Sequence, residues 1–267
     1  MARENFVLLY GQIQGNPRVY CKSDGSLSKA MMILKVLRRY YISEKHQGNK
    51  LYYDHPIIMT QNAELIQEIA KYKDGDMIEL RGALTTKEVI KSTTCPKCGS
   101  KNSKAGNLVY VTPIYLCRRE EQVSPENGIE LLKQNNEVSN LIMIIGTLCR
   151  DPDFFQDGTE FASAQYELAV NRKYRIREDA MDVKTDYPWV KTYGAQAFHD
   201  SKALHTGSVV YINGGLQTRE VDRETECSCG TVYRWKDNAT EIVPYSIEYL
   251  ANCDVPEGED GQADEQN

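Results

Sequence analysis

The chain repeats itself. Arg81-Gly82-Ala83-Leu84-Thr85-Thr86-Lys87-Glu88-Val89 returns as Asn213-Gly214-Gly215-Leu216-Gln217-Thr218-Arg219-Glu220-Val221, an offset of 132. The same offset carries Pro56 to Pro188, Gly75 to Gly207 and Cys95 to Cys227. Upstream, Asn5, Gly11 and Pro17 recur as Asn140, Gly146 and Pro152 at 135, and Leu34-x-Val36-x-Arg38-x-Tyr40 recurs as Leu168-x-Val170-x-Arg172-x-Tyr174 at 134. Small drifts of offset are what loop insertions produce, and a period this long spans a whole domain rather than one unit of a solenoid. The pattern predicts two copies of one domain, and 267 residues are enough for each to bury a core.

Each copy reads as β-rich with one helix. Phe6–Ile13 and Leu141–Leu148 are apolar runs closed by Gly or Pro, as buried strands are; Lys29–Tyr40 and Phe161–Tyr174 alternate apolar and polar residues. Leu51–Thr60 and Tyr187–Tyr193 make a third strand. Asn62–Tyr72 and Ala195–Leu204 carry helical spacing and end at the turns Lys73-Asp74-Gly75-Asp76 and His205-Thr206-Gly207-Ser208. A fourth strand follows, then a long insertion, then a fifth strand around Leu108–Leu116 and Ile242–Leu250. Three strands, a helix and a two-strand hairpin predict a mainly β protein of two tandem OB-fold barrels, five strands and one helix each. The expected boundaries are a first barrel over 1–117, a linker with a short helix (Glu126–Asn135) over 118–138, a second barrel over 139–252 and an acidic tail over 253–267. A polar linker leaves the barrels able to pack together or to move separately.

The formal charge of −6 comes from the tail. Removing its six acids (Asp254, Glu257, Glu259, Asp260, Asp264, Glu265) from the total of 38 leaves 32, equal to the 32 Lys and Arg, so any basic face is local. The run Leu141–Ile145 is far too short to span a membrane, and Met1–Asn5 has no apolar signal core, so a cytoplasmic protein is expected. In that compartment eight cysteines read as thiols or metal ligands rather than disulfides. None of the four histidines falls in a nucleophile or catalytic-metal motif, and no phosphate-binding glycine loop is present, so no enzymatic activity is expected.

The second repeat resembles the bacterial single-stranded DNA-binding proteins over nearly its whole length. The resemblance rests on Asn140-x5-Gly146-x5-Pro152, Tyr166–Arg172, Trp189-Val190-x-x-Tyr193-Gly194 and above all Gly207–Arg219. It implies stacking aromatics at Tyr174, Trp189 and Tyr193, with Val221 departing from the aromatic of the hairpin position. Cations lie alongside at Arg172, Lys173, Arg175, Arg177, Lys191, Arg219 and Arg223. The first repeat keeps Tyr40 with Arg38 and Arg39, but Ile57 and Gln61 replace Trp189 and Tyr193, with Tyr52 and Tyr53 as compensating candidates. The second barrel is therefore the expected DNA platform. The implied function is sequence-independent binding and protection of single-stranded DNA during replication, recombination or mobile-element transfer. Replication or recombination proteins and a second chain, restoring the family's usual four barrels, are the implied partners. The alternative is a zinc-stabilised interaction or RNA-binding subunit of a larger assembly. The tail has the family's acidity but ends Asp264-Glu265-Gln266-Asn267, without its hydrophobic tip.

Cys95-Pro96-Lys97-Cys98-Gly99 has the form of a zinc-ribbon knuckle, and a structural zinc needs four ligands. Cys227-Ser228-Cys229-Gly230 stands at the same place in the other repeat, six residues after the matched valine. The expectation is that the two hairpin tips lean together and share one structural zinc, within a chain or between two. Two pairs of free thiols on mobile loops is the alternative.

Overall fold

The computed structural model describes residues 3–38, 51–158, 161–172 and 185–254. The first repeat supplies β1 (Asn5–Ile13), β2 (Arg18–Cys21), β3 (Leu27–Leu37), β4 (Tyr53–Asp54), β5 (Ile57–Thr60), α1 (Ala63–Ile69), β6 (Met77–Thr94) and β7 (Lys101–Glu120). After α2 (Pro125–Gln134) and α3 (Asn136–Ser139), the second supplies β8 (Asn140–Leu148), β9 (Asp153–Asp157), β10 (Phe161–Asn171), β11 (Thr185–Asp186), β12 (Trp189–Tyr193), α4 (Gly194–Ala203), β13 (Val209–Glu226) and β14 (Val232–Ala251).

Each repeat closes on itself. β1 pairs with β3, β3 with β5, β5 runs parallel to β7, β7 pairs with β6 and β6 returns to β1. The second circuit is the same, through β8, β10, β12, β14 and β13. These are two five-stranded OB barrels. The cause is visible in the period-2 pattern: Ala30, Met32, Leu34 and Val36 point inward from β3, and Ala164, Tyr166, Leu168 and Val170 from β10. The third strand of each copy is broken at His55-Pro56 and Tyr187-Pro188, because proline has no N–H to give the ladder; its carbonyl still accepts from Leu34 (3.2 Å) or Leu168 (3.0 Å).

The repeated glycine motif sits at a bulge. Register shifts fall between Arg81 and Gly82 and between Asn213 and Gly214. A Cβ at Gly82 would lie 2.4 Å from the Thr112 carbonyl oxygen, and one at Gly214 2.6 Å from that of Val243. Only glycine lets the strands approach this closely.

The expected hairpin insertions are continuous strand: Lys87–Thr94 keeps strand alternation with β-branched residues, so β6–β7 and β13–β14 continue past the barrels as two long two-stranded arms. The stretch expected to link the barrels begins inside β7, at Arg118–Glu120. Its helix starts at Ser124, whose Oγ accepts from the Asn127 N–H, with Pro125 at the first helical position. Of the two arrangements the linker left open, the barrels pack together: β1 pairs antiparallel with β8 from Asn5↔Ile144 to Leu9↔Asn140 and merges both into one 14-stranded sheet.

Candidate nucleic-acid interface and metal centre

A pseudo-two-fold set of polar contacts reinforces the seam. Asp54 Oδ1 accepts from the Thr218 N–H (2.8 Å), and Asp186 Oδ1 from the Thr86 N–H (2.7 Å). The N–H of His55 meets Thr218 Oγ1 (2.8 Å) and that of Tyr187 meets Thr86 Oγ1 (2.9 Å). Both carboxylates are buried and each is gripped by an arginine. Arg38 donates twice to Asp54 (3.0 and 2.8 Å), and Arg172 twice to Asp186 (2.5 and 2.7 Å). Both arginines, expected at phosphate, have their forks engaged by a carboxylate in the structure. The Arg172 side chain is only 7% exposed, and its fork is committed to holding the carboxylate that ties the barrels. Arg219 is likewise forked onto Glu241 (3.0 and 2.7 Å), although it borders open space.

The remaining expected residues separate cleanly. Trp189, Lys191 and Tyr193 alternate along β12 and share its outer face, about 6.6 Å apart step to step. Trp189 carries the Arg150 guanidinium 4.2 Å from its ring centroid, and Lys191 Nζ lies 5.7 Å from the Tyr193 centroid. Tyr53, by contrast, packs on the cluster of Tyr10, Leu37 and Met77, so its ring is not a free platform; Tyr52 is the exposed one. Arg39, Tyr40, Lys173, Tyr174, Arg175 and Arg177 lie outside the described residues.

Two aromatics missed in the sequence extend this face. β10 pairs with β12 at Ser163↔Tyr193 and with β9 at Ser163↔Phe155, which sets Phe155, Phe161 and Tyr193 on one surface. Phe161 is centred 6.4 Å from Tyr193, and Phe155 6.5 Å from Phe161; the two rings are 48% and 58% exposed. The available signal was density: three of the five phenylalanines fall between 154 and 161. The result is a row of aromatic faces, Trp189–Tyr193–Phe161–Phe155, with Lys191 between the first two.

At the Trp189 end the row opens into a groove of about 400 Å³ between the two arms. Lys91 and Lys104 line it from the first arm, Arg223 and Trp235 from the second, and Arg219 and Trp189 from the second barrel. Both tryptophans of the chain therefore face one groove. The arms touch through Lys91 Nζ–Asp237 (2.5 Å), Thr93 Oγ1–Tyr233 OH (2.7 Å) and the Asn102 amide donating to Tyr233 OH (3.1 Å).

Beyond these contacts the cysteines meet. The Sγ atoms of Cys95, Cys98, Cys227 and Cys229 all lie within 4.8 Å of one another. Cys95–Cys229 measures 3.8 Å and Cys98–Cys227 3.6 Å. A tetrahedral ion with metal–sulfur bonds of about 2.3 Å sets its sulfurs about 3.8 Å apart, so the thiols fit a four-sulfur site with two ligands from each arm. Each pair sits on a tight turn, closed by Gly99 N–H to the Cys95 carbonyl (3.0 Å) or Gly230 N–H to the Cys227 carbonyl (2.8 Å). The backbone N–H of Cys229, helped by the Asn102 amide, holds the Cys227 thiol down at about 6. Tyr233 and Trp235 pack against Cys95 and Cys227.

The OB barrel is a fold whose second- and third-strand face binds oligonucleotides or oligosaccharides, and here that face carries the aromatic row. A model of the Single-strand binding protein family matches residues 139–244. Single-stranded DNA-binding protein 3 of Clostridium acetobutylicum is 30% identical over 112 residues, covering 42% of this chain and 70% of that protein. Single-stranded DNA-binding protein B of Bacillus subtilis is 33% identical over 89 residues, 32% of this chain and 74% of that protein. In fold, the chain is similar to the single-stranded DNA binding protein from Thermus aquaticus, with a TM-score of 0.60 at 17% identity over 96% of this chain and 98% of that one. The chain belongs to the single-strand binding protein family.

Proposed function

We propose that the protein is a non-enzymatic coat for single-stranded DNA that binds without sequence choice and protects the strand while it is unpaired. The observation that carries this reading is the row Trp189–Tyr193–Phe161–Phe155. Every base has a π-face, so such a row accepts any sequence, at about 1–3 kcal/mol per stacked base. Lys191 and the lysines of the groove supply phosphate contacts, which make binding salt-dependent. The first barrel has Ile57 and Met59 where the second has Trp189 and Lys191, so the second barrel is the main platform. A titration of labelled oligo-dT with duplex DNA and RNA as competitors tests the reading; failure to bind at low salt refutes it.

The same reading gives the four cysteines one structural zinc, held within a single chain, supported by their fit to tetrahedral thiolate spacing. Metal analysis of protein purified without chelator tests it, with one zinc per chain expected. A second copy of the chain is the proposed protein partner. At the seam Phe6 and Leu8 of β1 and Leu141, Met143 and Ile145 of β8 all turn outward and remain partly exposed, an apolar face that self-association would cover. Sedimentation gives the oligomeric state.

A further inference from the structure

We propose that metal binding at the four cysteines and strand binding in the groove below them reinforce each other; this rests on the function proposed above. The groove has no continuous wall. One side belongs to β6–β7 (Lys91, Lys104) and the other to β13–β14 (Arg223, Trp235), with Trp189 of the barrel as floor. Beyond the barrels each arm is a two-stranded ribbon, a form that is marginal on its own. Among the described residues, the protein's own ties between the arms include the Lys91–Asp237 ion pair and the hydrogen bonds of Tyr233 to Thr93 and Asn102.

The ion pair among these ties competes with the strand. Asp237 neutralises Lys91 and also lies 3.5 Å from Arg223, so a phosphate entering the groove draws on the same two cations. The sulfurs are different. They sit past Tyr233, toward the arm tips, and a metal there joins two thiolates from each arm without using any groove cation. A loaded site keeps the walls in place while phosphate displaces Asp237. An empty site leaves each arm to order itself at the expense of strand affinity. By linkage, the factor by which metal tightens the strand is the factor by which the strand tightens the metal.

The test uses the full chain in reducing buffer, zinc-loaded and after chelation, with a labelled oligo-dT as strand and cobalt(II) as a second, coloured metal probe. The expected result is about tenfold weaker oligo-dT binding without metal, and metal retention against a competing chelator raised by a similar factor when oligo-dT is present. Cys98→Ser/Cys229→Ser, which removes one exposed ligand from each arm, should reproduce the loss, and zinc should not restore it. Circular dichroism and thermal unfolding report separately whether the barrels remain folded. Metal and strand each binding, with affinities that do not depend on one another, overturns the coupling and leaves both underlying readings intact. Absence of metal binding overturns it through the zinc reading, and absence of strand binding through the DNA reading.

Discussion

The carboxylate of Asp54 in the first barrel accepts a hydrogen bond from the backbone N–H of Thr218 in the second at 2.8 Å, and Asp186 makes the matching bond back to Thr86 at 2.7 Å. A chain that carries one domain twice thus builds within itself the reciprocal interface that a symmetric dimer builds between subunits.

This assigns Arg172 a structural role that can be measured. Asp186→Ala removes the buried carboxylate that holds both Arg172 and the Thr86 N–H, and should lower stability by about 1–3 kcal/mol. Arg172→Ala is expected to lower stability in urea unfolding while leaving the slope of log affinity against log salt unchanged. Lys191→Ala should do the reverse, reducing that slope with little effect on stability. A reduced slope for Arg172→Ala would return that residue to the DNA surface.

The aromatic row predicts a graded series. Trp189→Ala and Phe155→Ala should each weaken oligo-dT binding by about 1–3 kcal/mol, with no preference for one base over another. Ile57→Ala, at the matching place in the first barrel, should change affinity far less. Equal losses at Ile57 and Trp189 would mean that both barrels carry the strand alike.

A buried carboxylate gives a pH signature. Asp200 is shut away from solvent, and burial raises its pKa despite hydrogen bonds from the Tyr249 hydroxyl (2.7 Å), the Gln196 amide (2.9 Å) and the Tyr166 hydroxyl (3.4 Å). Its folded value lies above its unfolded one, so the folded state binds the proton more tightly. The resulting stabilisation is full below about pH 3.9 and is lost as pH rises through the folded value. Wild type should therefore gain stability relative to Asp200→Asn on acidification from neutral pH. A relative loss in urea titrations across that range would reverse the assignment.

Backbone geometry supplies a further check. Gly82→Ala and Gly214→Ala push a Cβ into a facing carbonyl and should destabilise by about 1–3 kcal/mol, seen as a lower urea midpoint.

The barrels were legible because their signals are local. Alternation along Lys29–Leu37 and Phe161–Asn171, and punctuation by glycine and proline, repeat at matched places in both copies. The cysteine cluster was legible for another reason: the repeat aligns Cys95 with Cys227, and two arms related by one symmetry bring like positions together. What escaped depends on partners distant in the chain. An arginine after an apolar strand reads the same whether it meets phosphate or a carboxylate. Only the fold shows that Asp186, bound to the N–H of Thr86 100 residues before it, also holds the Arg172 side chain inward. Phe155 and Phe161 were hidden because the pairing register of β9, β10 and β12 decides whether their rings join Tyr193.

The most direct test of the central claim uses the two tryptophans, since both line the groove. Intrinsic fluorescence would be followed while oligo-dT is added at low and then high salt, with duplex DNA as competitor. Saturable quenching by the single strand, weakened by salt and abolished in part by Trp189→Ala, is the predicted result. Unchanged fluorescence across the titration, or equal quenching by duplex, would contradict a single-strand platform at this face.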